Sequence, residues 1–248
     1  MIDRALIDTA RSALTAAANP EKAPDMQAYM KSAMPFLGVQ KPARDRIAAG
    51  LETLPDRQTW LDTVRALWRE ATHREERYLA LALAGDRRYR AYRAIEALPL
   101  FEELIVTGAW WDHVDAVATF MLGELLDRDP AALAPVLRAW ATDADMWKRR
   151  AAIVCQVRRK ARTDLPLLYD CIEPNREDGE FFIRKGIGWA LRAYAWVDPD
   201  EIERYCATHE LSPLSRREAL RNVDRIRTRQ RAHAPVASRP DPNREETT

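Results

Sequence analysis

Residues 110–126 read WWDHVDAVATFMLGELL. Val114, Val117, Ala118, Met121, Leu122 and Leu125 recur at intervals of three and four, which is one face of an α-helix. That stripe is the expected core face. Trp111 and Asp115 stand four residues apart on the same helix, so they share a face beside the stripe. A carboxylate screened from water by an indole is a place where a developing cation could be stabilised. The plainer reading is a packed tryptophan with an acid near a helix N-terminus, where the helix dipole favours negative charge.

The same periodicity extends outward in both directions. Residues 2–17, 56–70 and 74–85 carry apolar faces at helical spacing, and Asp56 is placed to cap the second of these. Asp129-Pro130 opens another helix with proline at its first position. Asp143 or Asp145 is placed to cap a helix running through Arg162. Further helices are expected over 165–172, 180–196, 199–209 and 213–229. No segment alternates apolar and polar residues as a strand does. Glycine is scarce, at 8 in 248 residues, which also favours helices. About a dozen helices joined by short turns, grouped at roughly 40 residues per pair or triplet, predict an all-α curved solenoid of HEAT-like helical repeats. One domain is expected over residues 1–231, followed by a disordered tail over 232–248 that is rich in Pro, Arg and Glu.

Composition narrows the function classes. Apolar residues make up 47% of the chain and charged residues 31%, as in a water-soluble protein with a substantial core. No apolar run is long enough to span a membrane, and the N-terminus lacks the apolar segment of a signal peptide. Cys155, Cys171 and Cys206 are isolated and odd in number, which fits a reducing cytoplasm. The four histidines do not cluster as metal ligands. There is neither a phosphate-binding Gly-Lys-Ser/Thr loop nor a nucleophile elbow. The net charge of +1 hides two strongly basic stretches, WKRRAAIVCQVRRKAR (147–162) and RREALRNVDRIRTRQR (216–231). Local basic surface of this kind suits phosphate.

Two helices carry charge beside the core stripe. Arg150 falls among Met146, Ile153, Val154 and Val157, with Arg158 two turns on. In the helix from Phe181, one face carries Lys185, Trp189, Arg192 and Trp196. Cations alternating with indoles suit phosphate contact beside a stacked sugar or base, although Trp189 could equally pack against the next helix. Gly186-x-Gly188 lies inside this helix and follows no strand, so it reads as a site of close helix approach.

Five ordered motifs carry a resemblance: AYMK with FLGVQ (28–40), HREERYLAL (73–81), WWDHVD (110–115), WKRRAAI (147–153) and FFIRKGIGWALRAY (181–194). Together they resemble the DNA alkylation repair family, the HEAT-like alkylpurine DNA glycosylases of the AlkD type. The resemblance spans roughly residues 26–225. It implies a solenoid with a concave basic face that removes cationic N3- and N7-alkylated purines from duplex DNA and leaves an abasic site. It implies that Asp115 is the catalytic carboxylate and that Trp111 and Trp189 flank the lesion. It implies DNA contacts from Arg150, Arg158, Arg192, Lys185, Tyr29 and Gln40. Arg158 departs from the lysine common in the family. The partner implied is alkylated double-stranded DNA, bound by a cytoplasmic monomer without metal or organic cofactor. The rival reading is a non-catalytic HEAT-like scaffold that binds DNA or protein.

Overall fold

The computed structural model describes residues 1–233, and those residues are helical, with no strand among them. In order the helices are α1 (Arg4–Ala16), α2 (Ala23–Met30), α3 (Lys41–Gly50), α4 (Arg57–Arg69), α5 (Arg74–Gly85), α6 (Leu98–Gly108), α7 (Trp111–Ala116), α8 (Gly123–Arg128), α9 (Pro130–Trp140), α10 (Met146–Val154), α11 (Leu165–Ile172), α12 (Phe181–Tyr194), α13 (Pro199–Thr208) and α14 (Pro213–His233). The tail expected over 232–248 meets the structure only at its first two positions, which close α14. The rest lies outside the described residues.

Aspartates start many of these helices. Asp3, Asp56, Asp129, Asp145, Asp164 and Asp198 each accept a bond from a backbone N–H in the first turn of α1, α4, α9, α10, α11 and α13. Such a cap satisfies a donor that the helix cannot, and is worth about 1 kcal/mol. Between the two acids that could open α10, Asp145 is the cap; it also receives the amide of Lys148 at 3.1 Å.

The helices stack as a solenoid in two rows. One row runs α3, α5, α7, α10, α12 and α14, each touching the next. In the other row α1 meets α4, α4 meets α6, and α9 meets α11. Tyr169 of α11 then stacks on Tyr205 of α13 with ring centroids 4.3 Å apart. The core lies between the rows. It includes Trp60, Trp68, Leu79, Leu104 and the whole stripe from Val114 to Leu125. Truncating one of these large side chains to alanine would cost on the order of 2–5 kcal/mol.

Two local departures from regular helix matter for the site. The helix expected through Arg162 ends at Val154. Gln156 explains the stop, because its side-chain amide donates to the Asp164 carbonyl at 3.0 Å and accepts from the Asp164 amide at 2.8 Å. That closes residues 157–163 into a loop, with Lys160 at positive φ. Arg158 therefore sits on a loop rather than two turns up a helix. The second departure is a π-helical segment, Val117–Leu122, between α7 and α8. Insertions of this type often occur at functional sites. This one buries Met121 and Leu122 and leaves Phe120 54% exposed.

Candidate active site

The row from α3 to α14 carries nearly all the polar side chains that the sequence singles out. At its centre, the Asp115 carboxylate receives both arms of one guanidinium. Arg150 Nε donates to Oδ1 and Nη2 to Oδ2, each at 2.8 Å. Arg150 is 5% exposed, and its Nη1 donates to the Phe182 carbonyl at the start of α12. Gly186, one turn on, leaves room for this arm: a Cβ there would lie 3.2 Å from Arg150 Nη1. Asp115 retains partial exposure. Burial pushes its carboxyl above the ordinary aspartate range, while the Arg150 bonds draw it back toward the anion.

The second acid of the motif is held separately. Asp112 accepts from Arg74 Nη2 at 2.7 Å and from the Tyr78 hydroxyl at 2.6 Å. Arg74 is 6% exposed, so this too is a nearly dry ion pair. Its backbone amide donates to the Pro35 carbonyl. Next to it, Glu75 accepts the backbone amides of Leu37, Gly38 and Val39 at 2.9–3.0 Å. The FLGVQ and HREERY motifs are thus one unit, built on a carboxylate that gathers three amides. Gly38 has a φ of +80°, and a Cβ on it would lie 2.0 Å from the Asn19 carbonyl oxygen, so glycine is required there.

His113 lies between the acids in sequence but points into the core. Its ring packs edge-on against Trp68 and Tyr78, and burial pushes its pKa down to about 4. It is a packing residue. Trp110 meets Trp147 and Phe182, with ring centroids 6.2 and 5.2 Å apart, and this aromatic group joins the N-terminal ends of α7, α10 and α12. Trp111 is half-buried against the core, one turn from Asp115.

The cations divide into two kinds. Lys185 Nζ donates to Glu218 Oε1 at 2.9 Å, and Arg192 is paired with Oε2 of the same carboxylate. Glu218, 7% exposed on α14, was not singled out by sequence; burial opposes its ionisation, but the two cations hold its pKa down to about 2. The close packing of α12 on α14 depends on Gly188, where a Cβ would lie 2.5 Å from Glu218 Cβ. Arg158, by contrast, is exposed and has no carboxylate partner among the described residues; its guanidinium lies 4.1 Å over the Phe120 ring. Arg158, Trp189, Arg192 and Trp196 line one cleft of about 760 Å³. Tyr29, 77% exposed on α2, and Gln40, which accepts from Lys22 Nζ at 2.8 Å, stand near the N-terminal end. No contact among the described residues ties either to the Asp115 cluster. No set of three or more His, Cys, Asp or Glu among the described residues could hold a metal ion. No described helix is long and apolar enough to cross a membrane.

An all-α stack with a buried carboxylate–guanidinium pair at the centre of one row and indoles and cations along it defines a helical-repeat protein with a built polar site. The sequence profile of DNA alkylation repair enzymes matches residues 10–223, and the chain belongs to that family. A predicted DNA alkylation repair enzyme from Enterococcus faecalis is 32% identical and superposes with a TM-score of 0.75, covering 82% of this chain and 95% of that one. AlkD2 from Streptococcus mutans shares the fold at 16% identity and a TM-score of 0.59, over 81% of this chain and 99% of its own. Smu.31 from Streptococcus mutans UA159 does so at 16% and 0.57, over 73% and 91%. Among curated proteins none matches.

Proposed function

We propose that this DNA alkylation repair enzyme is a monofunctional glycosylase that hydrolyses the N-glycosidic bond of cationic N3- or N7-alkylated purines in duplex DNA. The observation that carries the reading is the Asp115 carboxylate, fixed by both arms of buried Arg150 within a row otherwise rich in cations and indoles. Near DNA an acid repels phosphate, so a surface that only held DNA would gain nothing from one here. A carboxylate of fixed orientation is what an oxocarbenium-like sugar needs.

The residues act as follows. The alkylated purine is already positive, so it departs without a strong general acid. The C1′–N bond breaks and its electron pair neutralises the purine. Positive charge grows on the sugar, where Asp115 stabilises it and orients a water molecule. The water oxygen bonds to C1′ and its proton leaves to solvent, giving an abasic site. Trp111 and Trp189 present indoles beside the sugar and favour a nearby cation. Arg150 positions the carboxylate. Three of its five N–H donors bond Asp115 and the Phe182 carbonyl, and the remaining two leave room for the phosphate contact that the resemblance implies. Arg158 and the Glu218-paired Lys185 and Arg192 face phosphate, with Tyr29 and Gln40 extending the DNA surface toward the N-terminus. Among the described residues no lysine bonds to Asp115 or Arg150, which supports base release that leaves the strand uncut.

The test is base release from duplexes carrying N7-methylguanine or N3-methyladenine, wild type against Asp115→Asn. A rate lower by on the order of 10²–10³ in the variant, with DNA binding retained, supports the reading. Tight binding without release by the wild type would favour the scaffold.

A further inference from the structure

A second cleft, of about 360 Å³, opens between α3, α5 and the π-helical segment. Its floor is apolar, with Leu81, Ala82 and Met121. It also includes Asp112 and Ala116, the residues three before and one after Asp115, so it borders the candidate active site. Lys41 and Asp45, paired with each other, also line it. Two arginines lie against its aromatic walls, Arg44 within the cleft and Arg158 at its edge, in the neighbouring cleft. Arg44 of α3 lies with its guanidinium 3.9 Å over the Tyr78 ring, and Arg158 lies 4.1 Å over the Phe120 ring. Tyr78 and Phe120 both line the cleft. Neither arginine is ion-paired with a carboxylate among the described residues, although Arg150, Arg192, Arg74 and Arg93 all are. Arg44 is half-buried, and its Nη1 is buried without a hydrogen-bond partner.

A guanidinium over an aromatic face keeps its charge while its position is restrained by the ring. Stacking also restricts a side chain that otherwise loses much rotamer entropy on binding. Each stack helps to hold its side chain in place, and neither guanidinium is neutralised by a bonded acid. That arrangement suits an anion arriving from outside.

The geometry points to a phosphate clamp: Arg44 on Tyr78 within this cleft and Arg158 on Phe120 at its edge grip DNA backbone phosphates, and the apolar floor faces the sugar edge between them. Phe120 is thereby a positioning residue for Arg158, and the π-helical segment is the device that exposes it. The same pairing accounts for arginine at position 158, since a planar cation stacks on a ring where an ammonium would not lie flat. This inference rests on the duplex-DNA reading above.

The experiment is titration of a fluorescent duplex at several salt concentrations with full-length wild type, Arg44→Gln, Arg158→Gln, Phe120→Ala and the Phe120→Ala/Arg158→Gln double variant. Base release is followed separately. Each arginine change should weaken binding roughly two- to fivefold, the scale of an exposed ion pair. Each should also flatten the log–log salt slope by about 0.9. Phe120→Ala should reproduce much of the Arg158→Gln loss, and the double variant should lose little more than Arg158→Gln alone. Arg158 and Phe120 are exposed, so their variants should fold even if Arg44→Gln does not. An unchanged salt slope, or additive losses in the double variant, overturns the clamp. Clamp-dependent binding without release by the wild type would sink the glycosylase and spare the clamp. Wild type that binds no duplex sinks both.

Discussion

Arg150 approaches Asp115 side-on, Nε to Oδ1 and Nη2 to Oδ2, so a single buried guanidinium fixes the plane of the carboxylate. Geometry of that kind is lost with a point charge. Arg150→Lys should keep the positive charge yet lower the rate of base release by on the order of tenfold or more, while duplex affinity changes little. Single-turnover release against binding separates the two. Equal losses in both would make Arg150 a phosphate contact instead.

Arg150→Gln tests the electrostatics. Burial already raises the Asp115 carboxyl, and Arg150 is what opposes that rise. Without the cation the carboxylate should protonate at still higher pH. Release, which needs the anion, should then fall away at a higher pH on acidification than in the wild type. The variant should also be less stable by about 3–5 kcal/mol, because a buried charge loses its partner. A pH profile that does not move would show that Asp115 ionisation does not limit release.

Glu218 is paired with Lys185 and Arg192, so it competes with phosphate for both cations. Glu218→Gln should release both, tightening duplex binding and steepening the salt slope by up to about 1.8, two phosphates' worth. The cost falls on stability. The carboxylate's pKa is depressed to about 2, so its contribution is present above the ordinary glutamate range and is lost as pH falls toward 2. At neutral pH the variant should be roughly 1–3 kcal/mol less stable, after allowing for the partial exposure of its partners. Weaker DNA binding by this variant would mean that Glu218 serves to aim the cations rather than to restrain them.

The fold was legible because helical periodicity, aspartate caps and scarce glycine all point the same way, and the stripe from Val114 to Leu125 is buried as spacing predicts. The ends of elements were less legible. Nothing local in residues 155–162 breaks a helix, and the stop at Val154 comes from Gln156 reaching Asp164 eight residues on. Arg150 could be picked out because it falls among apolar residues at helical spacing, and Asp115, Trp189 and Arg192 because charge and indole share a face beside a clean stripe; their roles came from the family resemblance. Their partners could not be picked out. Glu218 is one acid in a basic helix, and only the approach allowed by Gly188 shows what it does. Arg44 and Phe120 stand alone in sequence. Only the stacking of α3 on α5 and the π-helical segment give them a common cleft. The Arg74–Tyr78 spacing of four did carry a signal for the Asp112 anchor, since it sets both side chains on one helix face.

His113 gives the protein an acid-sensitive core. It is fully buried beside Trp68, and burial holds its pKa down to about 4. The unfolded chain, with an ordinary histidine near 6.5, therefore binds more protons across the interval from about 6.5 to 4. Stability from the neutral ring is complete above that interval and is lost as pH falls through it, up to about 3 kcal/mol in all. Chemical denaturation at pH 7 and pH 4.5 measures the slope. His113→Gln should be less stable at pH 7, since glutamine fills the aromatic slot poorly, but its stability should change less between the two pH values. The slope left in the variant belongs to the carboxylates. If wild type and variant lose stability in parallel, His113 does not titrate differently in the folded and unfolded chains.

Glu75 is where the N-terminal part of the site is fastened. It is fully buried, and its two oxygens accept three backbone amides from residues 37–39. Glu75→Gln keeps the shape but replaces one acceptor oxygen with an NH₂ group that faces amide donors. Two of the three amides share Oε1, so an Nε2 on either side leaves at least one donor unmet. Each buried donor left unsatisfied costs about 1–3 kcal/mol, and Glu75→Ala orphans all three. The expected order of stability is wild type, Gln, Ala. The loss should be local before it is global: amide exchange at 37–39 should accelerate first, because these bonds tie a loop rather than a helix. Arg74 shares this anchor through its amide and the Pro35 carbonyl, so its grip on Asp112 should loosen too. Base release should then fall in Glu75→Gln although residue 75 touches neither Asp115 nor Arg150. Fast exchange at 37–39 with release unchanged would separate the loop from the chemistry.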